Sequence, residues 1–181
     1  MAYLLRTLVL LMILSILLTT LVAKGLVTLP LGHILIAIPT FLYCIFAQAF
    51  IMFFFVGVNR FVENVHGVLS SGTKLEELFE TPPADLTPYL KSMNKFVYDA
   101  KLFKRQTVPW SALMLVLGMI AFFLGGAHDT GLVSKEIHSG VVYGFIMAAG
   151  IGSVRQWIYL GRAHKLLRQL KGTFSLEDAA M

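Results

Sequence analysis

The chain has 181 residues, of which 57% are hydrophobic and 14% charged, with a mean hydropathy of +0.76. A soluble domain of ordinary composition is excluded, and so is a separate soluble catalytic domain, because apolar segments consume most of the length. The net charge of +5 does not point to nucleic acid. Its Lys and Arg residues flank apolar runs and form no basic patch interleaved with aromatics.

Four runs free of charge occur at residues 7–23, 34–58, 107–127 and 139–154, the last continuing past Arg155 to Leu160. An apolar bilayer core of ~30 Å needs about 20 helical residues, and helices satisfy every backbone group within one segment. The reading is an all-α integral membrane protein, a four-transmembrane-helix bundle forming a single membrane domain over residues 1–181. Its spans are expected at about 5–25, 33–58, 107–127 and 138–160.

Arg6 ahead of the first run resembles the start of a secretory signal. The sequence Leu21, Val22, Ala23, Lys24 lacks a small-x-small cleavage pattern, so an uncleaved first helix is expected. Cys44 is the single cysteine, which excludes an intrachain disulfide and argues against a thiolate-held metal cluster.

Orientation follows from the cations. With the amino terminus inside, the inner side holds Arg6, the seven Lys and Arg residues between Arg60 and Arg105, and the five from Arg155 to Lys171. Only Lys24 and Lys135 lie outside. The positive-inside rule therefore predicts cytoplasmic termini, in a bacterial inner (plasma) membrane.

The second span is rich in aromatics: Phe41, Tyr43, Phe46, Phe50, Phe53, Phe54 and Phe55. These suit contact with lipid, or with a quinone, pigment or other apolar ligand. Gln48 is the strongly polar residue nearest the midplane, with Cys44 one turn away, and an interhelical hydrogen bond is its expected use.

The inner segment, residues 59–106, reads as a two-part helical element broken at Thr81-Pro82-Pro83. Thr73 with Glu76 offers a first capping pair, and Thr87 with Pro88 a second helix start. Tyr89, Met93, Phe96, Ala100 and Phe103 recur at helical spacing opposite several lysines, which predicts an amphipathic cytoplasmic helix lying along the membrane surface.

In the third and fourth spans small residues recur. Gly140, Gly144, Ala148 and Gly152 form a stripe of period four, and Gly118, Ala121 and Gly125 are its expected partners. Such stripes allow close helix approach in lipid, either within a hairpin or toward another subunit.

Three histidines fall on the outer side: His33, His128 and His138, with Asp129 and Glu136 nearby. Imidazole and carboxylate suit a divalent metal, and imidazole pairs suit haem. Interfacial side chains resting in headgroup water are the plainer reading, and the residues after Gly125-Gly126 read as turn chemistry. His138 lies roughly 160° around the wheel from Gly140, hence away from the close-packed stripe.

Past the fourth span, Trp157 and Tyr159 fit an interfacial belt. Leu166, Leu167 and Leu170 continue an amphipathic helix in the tail, residues 161–181, which Gly172 is expected to end. Ser175 and Asp178 resemble a capping box.

No Asp, Glu, Lys or His occurs at mid-span, as a proton relay or charged-ion path requires. Nor is there a catalytic triad order, a phosphate-cradling glycine loop or an enclosed carboxylate pair. The sequence thus points to a non-catalytic accessory subunit of a larger membrane complex, its partners being lipids and other membrane subunits or itself. The alternatives are a haem-, metal- or quinone-associated redox subunit using the outer histidines, and a channel or transporter component. Proton-driven stator proteins share the topology of four spans with an inner loop after the second, but none of their functional residues can be matched here.

Overall fold

The computed structural model describes residues 2–28, 33–79, 82–83 and 85–174. Four helices follow in order: α1 (Ala2–Ala23), α2 (Ile34–Ser71), α3 (Thr87–Asp129) and α4 (Lys135–Phe174), with a short 3-10 turn at Leu75–Glu77. All four are long and apolar enough to cross a membrane. At ~1.5 Å per residue α1 spans about 33 Å, whereas α3 reaches about 65 Å, twice what an apolar bilayer core needs.

The buried stripes explain these lengths. On α2, Cys44, Ala47, Gln48, Ile51, Phe55, Val58, Val62, Val65 and Leu69 recur at helical spacing without interruption from the apolar half into the polar half. The buried residues of α4 run in the same way from Ala148 to Phe174. One continuous face keeps one continuous helix, even though α2 contains Pro39 and α3 contains Pro109.

Helices α1 and α2, α2 and α3, α3 and α4, and α4 and α1 pack as neighbours in a closed ring, while α2 and α4 barely meet across it. Because α1 is short, it lines only the apolar half. In the basic half, α2, α3 and α4 continue as a three-helix stalk cored by Val62, Val65, Leu69, Met93, Leu166 and Leu170, with Leu78 and Phe174 closing its far end.

This corrects the surface-helix expectation. Residues 87–106 are not a separate element on a membrane surface but the first half of α3, in line with the third apolar run. Met93, Ala100 and Phe103 are buried against α2 and α4. A periodic apolar stripe with lysines opposite is common to a surface helix and a bundle helix, and pattern alone does not separate them.

Helix ends also differ in detail. Glycines in the left-handed conformation terminate three helices: Gly25 (φ 70°), Gly72 (φ 66°) and Gly131 (φ 76°). Only a residue without a Cβ adopts this geometry without strain. After α3, the Leu132 amide donates to the Ala127 carbonyl at 2.8 Å, which closes a Schellman-type turn. Gly172, expected to end α4, lies inside it, because Phe174 beyond it is fully buried on Phe79 and Tyr89.

Thr73 does not cap the 3-10 turn. Lys74 holds that position at φ 58°, and the Thr73 hydroxyl pairs with that of Ser71 at 2.7 Å. The cap of α3 is Leu86, one residue earlier than expected. Asp85 accepts from the Thr87 amide at 2.9 Å. Thr81 and the Ser175–Asp178 pair lie outside the described residues.

Candidate functional site

The centre of the ring is polar. Gln48 of α2 and Gln156 of α4 have 1% and 0% of their surface exposed. The Gln156 amide Nε2 donates to Gln48 Oε1 at 2.7 Å and to Ser111 Oγ of α3 at 2.9 Å. Gln48 Nε2 points at the Met12 sulfur of α1, 3.0 Å away. One cluster therefore ties all four helices together, and its groups carry no charge at any accessible pH. A carboxamide pair of this kind can hold helices in register and orient a bound water, but it supplies no titrating group for proton transfer. The expected interhelical use of Gln48 is what the geometry shows. Gln156 lies between Arg155 and Trp157, in a stretch of cations and interfacial aromatics, and nothing in that pattern marks it as the partner of Gln48.

Toward the basic end the helices meet through arginines. Arg155 donates from Nη2 to the Gln106 side chain and from Nε to the Gln106 carbonyl at 3.3 Å. Its guanidinium lies 5.5 Å from the Trp110 ring centre. Arg6 of α1 stacks 5.0 Å from the Trp157 ring centre and reaches the Trp157 carbonyl at 3.4 Å. A Cβ at Gly161 would collide with the Arg6 guanidinium, so the absent side chain there makes room for the tip of that arginine. Nothing in the period-four pattern marks Gly161, which lies outside the small-residue stripe.

That stripe divides in two. Ala148 and Gly152 face α3, where a Cβ on Gly152 would meet Met114 Cε at 2.8 Å. Across the contact Ala121 is buried, and Gly118 receives the Phe145 ring, 3.2 Å from where its Cβ would stand. Gly140 and Gly144 would meet nothing within 4 Å, so they face outward rather than into the hairpin. Ring-into-notch packing replaces the small-on-small contact expected along that stretch.

The three histidines that the charge rule assigns to one side come together in part. His138 lodges against Gly125, with Cε1 3.2 Å from that residue's Cβ position. Its ring lies nearly parallel to that of His128, with centroids 5.9 Å apart and planes 13° apart. The wheel argument was right that His138 and Gly140 point apart, but the assignment inverts: the histidine faces α3 and the glycine faces out. His128 Nδ1 bonds the Val133 carbonyl at 3.1 Å, which leaves Nε2 available, while His138 Nδ1 is buried without a partner.

Asp129 and His33 both lie within electrostatic range of His138, and Asp129 and Glu136 are exposed at the helix ends. Among the described residues, no three His, Cys, Asp or Glu side chains converge as a metal site requires. The expected set of His33, His128 and His138 with a carboxylate thus reduces to a pair of imidazoles.

The aromatics of the second span do not converge either. Phe41 stacks on Phe122 at 4.4 Å, and Phe55 is part of the core. Phe46, Phe50 and Phe53 turn outward, as lipid-facing rings do.

Comparison with protein-family models, with curated proteins and with solved structures finds no match to this chain.

Proposed function

We propose that this chain is a structural subunit of a larger membrane assembly, inserted through its four apolar helices with both termini and the stalk on the cytoplasmic side of a bacterial inner membrane. One observation carries the reading. Helices α2, α3 and α4 pass unbroken from the apolar half into a packed three-helix stalk, which suits a recognition surface held rigidly relative to a bilayer. A mobile linker would suit a tethered enzyme, whereas a rod with a continuous core suits a scaffold that positions partners. The cation distribution supports the orientation. The outward face at Gly140 and Gly144 leaves room for a further helix to approach.

The test is extraction in mild detergent followed by native electrophoresis and identification of what travels with the chain. Migration with a defined larger complex is the expected result, and a strict monomer at every detergent tried would overturn the proposal. Labelling from each side of the membrane checks the orientation, with residues 59–106 and the turn at 130–134 expected in opposite compartments.

A second reading attaches to His128 and His138. Two near-parallel imidazoles, one with a free Nε2 and the other with an unpartnered buried nitrogen, suit two positions of a transition-metal or haem site completed by another subunit. An absorption spectrum and metal analysis of the intact complex test it, and a colourless, metal-free preparation removes it.

A further inference from the structure

The face of α4 that meets α1 continues toward the C-terminal end of the helix. Gly161 lies against Arg6, and the His164 ring lies edge-on to Tyr3 at 6.4 Å. Lys165 and Arg168 continue the same face by one and two further turns, at helical spacings of four and three. Beside Tyr3 of α1, that face opens into a slot. A cleft of about 490 Å³ remains there, lined by Gly161, His164, Lys165, Arg168 and Gln169.

Charge in this slot has one sign. From Arg155 to Phe174, α4 contains no acidic residue, and α1 contains none at all. Among the described residues, neither Lys165 nor Arg168 has a carboxylate partner, and an ion pair of the stalk, Lys101 with Glu63 at 3.4 Å, sits between α2 and α3. Arg6 adds a buried Nε that lacks an acceptor.

Below the slot the surface becomes apolar. Met147, Ile151, Val154 and Ile158 are exposed along α4 at spacings of three and four, one stripe leading up to the cleft. Gly161 and Arg168 are separated by about 10 Å along the axis, comparable with the depth of a headgroup layer.

Resting on the membrane reading above, we infer that this cleft binds an anionic phospholipid, with its phosphate held by Lys165 and Arg168 and its acyl chains lying on the Met147–Ile158 stripe. Basic side chains at the end of a lipid-facing apolar stripe recognise a headgroup and a tail together, which a soluble phosphate does not offer. The cleft on α4 adjoins the contact with α1 at Gly161 and His164, so an occupying lipid also braces the place where Arg6 docks.

The full chain is reconstituted in nanodiscs of phosphatidylcholine with phosphatidylglycerol, and the lipid retained after detergent transfer is counted by native mass spectrometry. Selective retention of phosphatidylglycerol is expected. Each cation near an anionic surface is worth about fivefold in affinity, so Lys165→Gln with Arg168→Gln should lower retention roughly twenty-five-fold. The paired control Lys101→Gln with Arg105→Gln removes the same charge on α3, facing elsewhere at the same end of the apolar half, and should leave retention unchanged.

Equal loss in both double variants would mean general surface attraction and would overturn the site. Displacement by inorganic phosphate as effective as that by phosphatidylglycerol would overturn the lipid assignment. A chain that fails to enter nanodiscs at all would refute the membrane reading itself, whereas normal entry without headgroup preference refutes this inference alone. All four substituted side chains lie on the exterior of the stalk, so folding, checked by circular dichroism, should be unaffected.

Discussion

The cluster joining Gln48, Gln156, Ser111 and Met12 lends itself to a double-mutant cycle. Gln156→Leu removes the donor that serves both Gln48 Oε1 and Ser111 Oγ. Ser111 can turn its hydroxyl toward a carbonyl of its own helix, as Thr107 already does toward Phe103 at 2.7 Å, so its loss is small. Gln48 has no such recourse: its carbonyl is left unsatisfied in the interior, which costs about 1 to 3 kcal/mol. Added apolar surface returns little in a lipid environment, so the single change should cost about 2 kcal/mol. Gln48→Leu leaves Gln156 still bonded to Ser111 and should cost about 1.5 kcal/mol. Removing both carboxamides leaves no buried amide without a partner, and the double variant should cost about 2 kcal/mol rather than the sum. The resulting coupling of about 1.5 kcal/mol is near the top of the range measured between membrane helices, as befits two side chains with essentially no exposure. Reversible unfolding in mixed micelles, titrated with a denaturing detergent, reads all four corners of the cycle. Additivity within about 0.5 kcal/mol would show that the carboxamides do not depend on each other.

Gly161→Leu should displace the Arg6 guanidinium from Trp157 and loosen the adjacent start of α1, because the space is filled by the end of the Arg6 side chain. Crosslinking between Tyr3→Cys and His164→Cys in a Cys44→Ala background should fall at least severalfold. Gly144→Leu should leave monomer stability within about 0.5 kcal/mol of the parent, since a side chain there meets nothing. A loss of complex in the same variant would place the partner on that face. Phe174→Ala empties a fully buried site between Phe79 and Tyr89. It should cost about 3 to 5 kcal/mol, seen as protease cleavage in the stalk while the apolar half stays intact.

At the start of α3, hydrogen bonds from the Thr87 hydroxyl and amide hold the Asp85 carboxyl below its ordinary range. A carboxylate favoured in the folded state stabilises above its unfolded pKa, and that contribution is lost as pH falls through the lower folded value. Protection of the Thr87 amide, taken relative to intrinsic exchange at each pH, should therefore fall on acidification below the usual carboxylate range, and that fall should vanish in Asp85→Asn.

What was legible in the sequence was whatever the solvent dictates. Four uncharged runs require four helices, because a backbone in lipid has no other open-ended way to satisfy its polar groups. The stalk was harder to read, since the stripe of Met93, Ala100 and Phe103 is written in the same pattern whether its apolar face meets lipid headgroups or two other helices. The information that decided between them was distributed: Val62, Val65 and Leu69 on α2 and Leu166 and Leu170 on α4 supply matching stripes at matching depth, and three such stripes beyond the spans can bury one another.

The small-residue stripe was legible only in part, for a related reason. A glycine at every fourth position says that a close approach is allowed, but the approach may come from a backbone, a side chain or nothing. Phe145 and His138 on α4 fill the notches at Gly118 and Gly125 on α3, so the contact is made by large residues of one helix on small residues of the other. This rotates α4 until Gly140 and Gly144 look outward. The same rotation brings His138 beside His128, and farther along the helix the α1-facing side presents Gly161, His164, Lys165 and Arg168. The orientation of one helix about its own axis thus sets both the outer imidazole pair and the basic cleft. A variant that rotates α4, such as Gly118→Phe, should disturb imidazole spacing and lipid retention together, at opposite ends of the molecule.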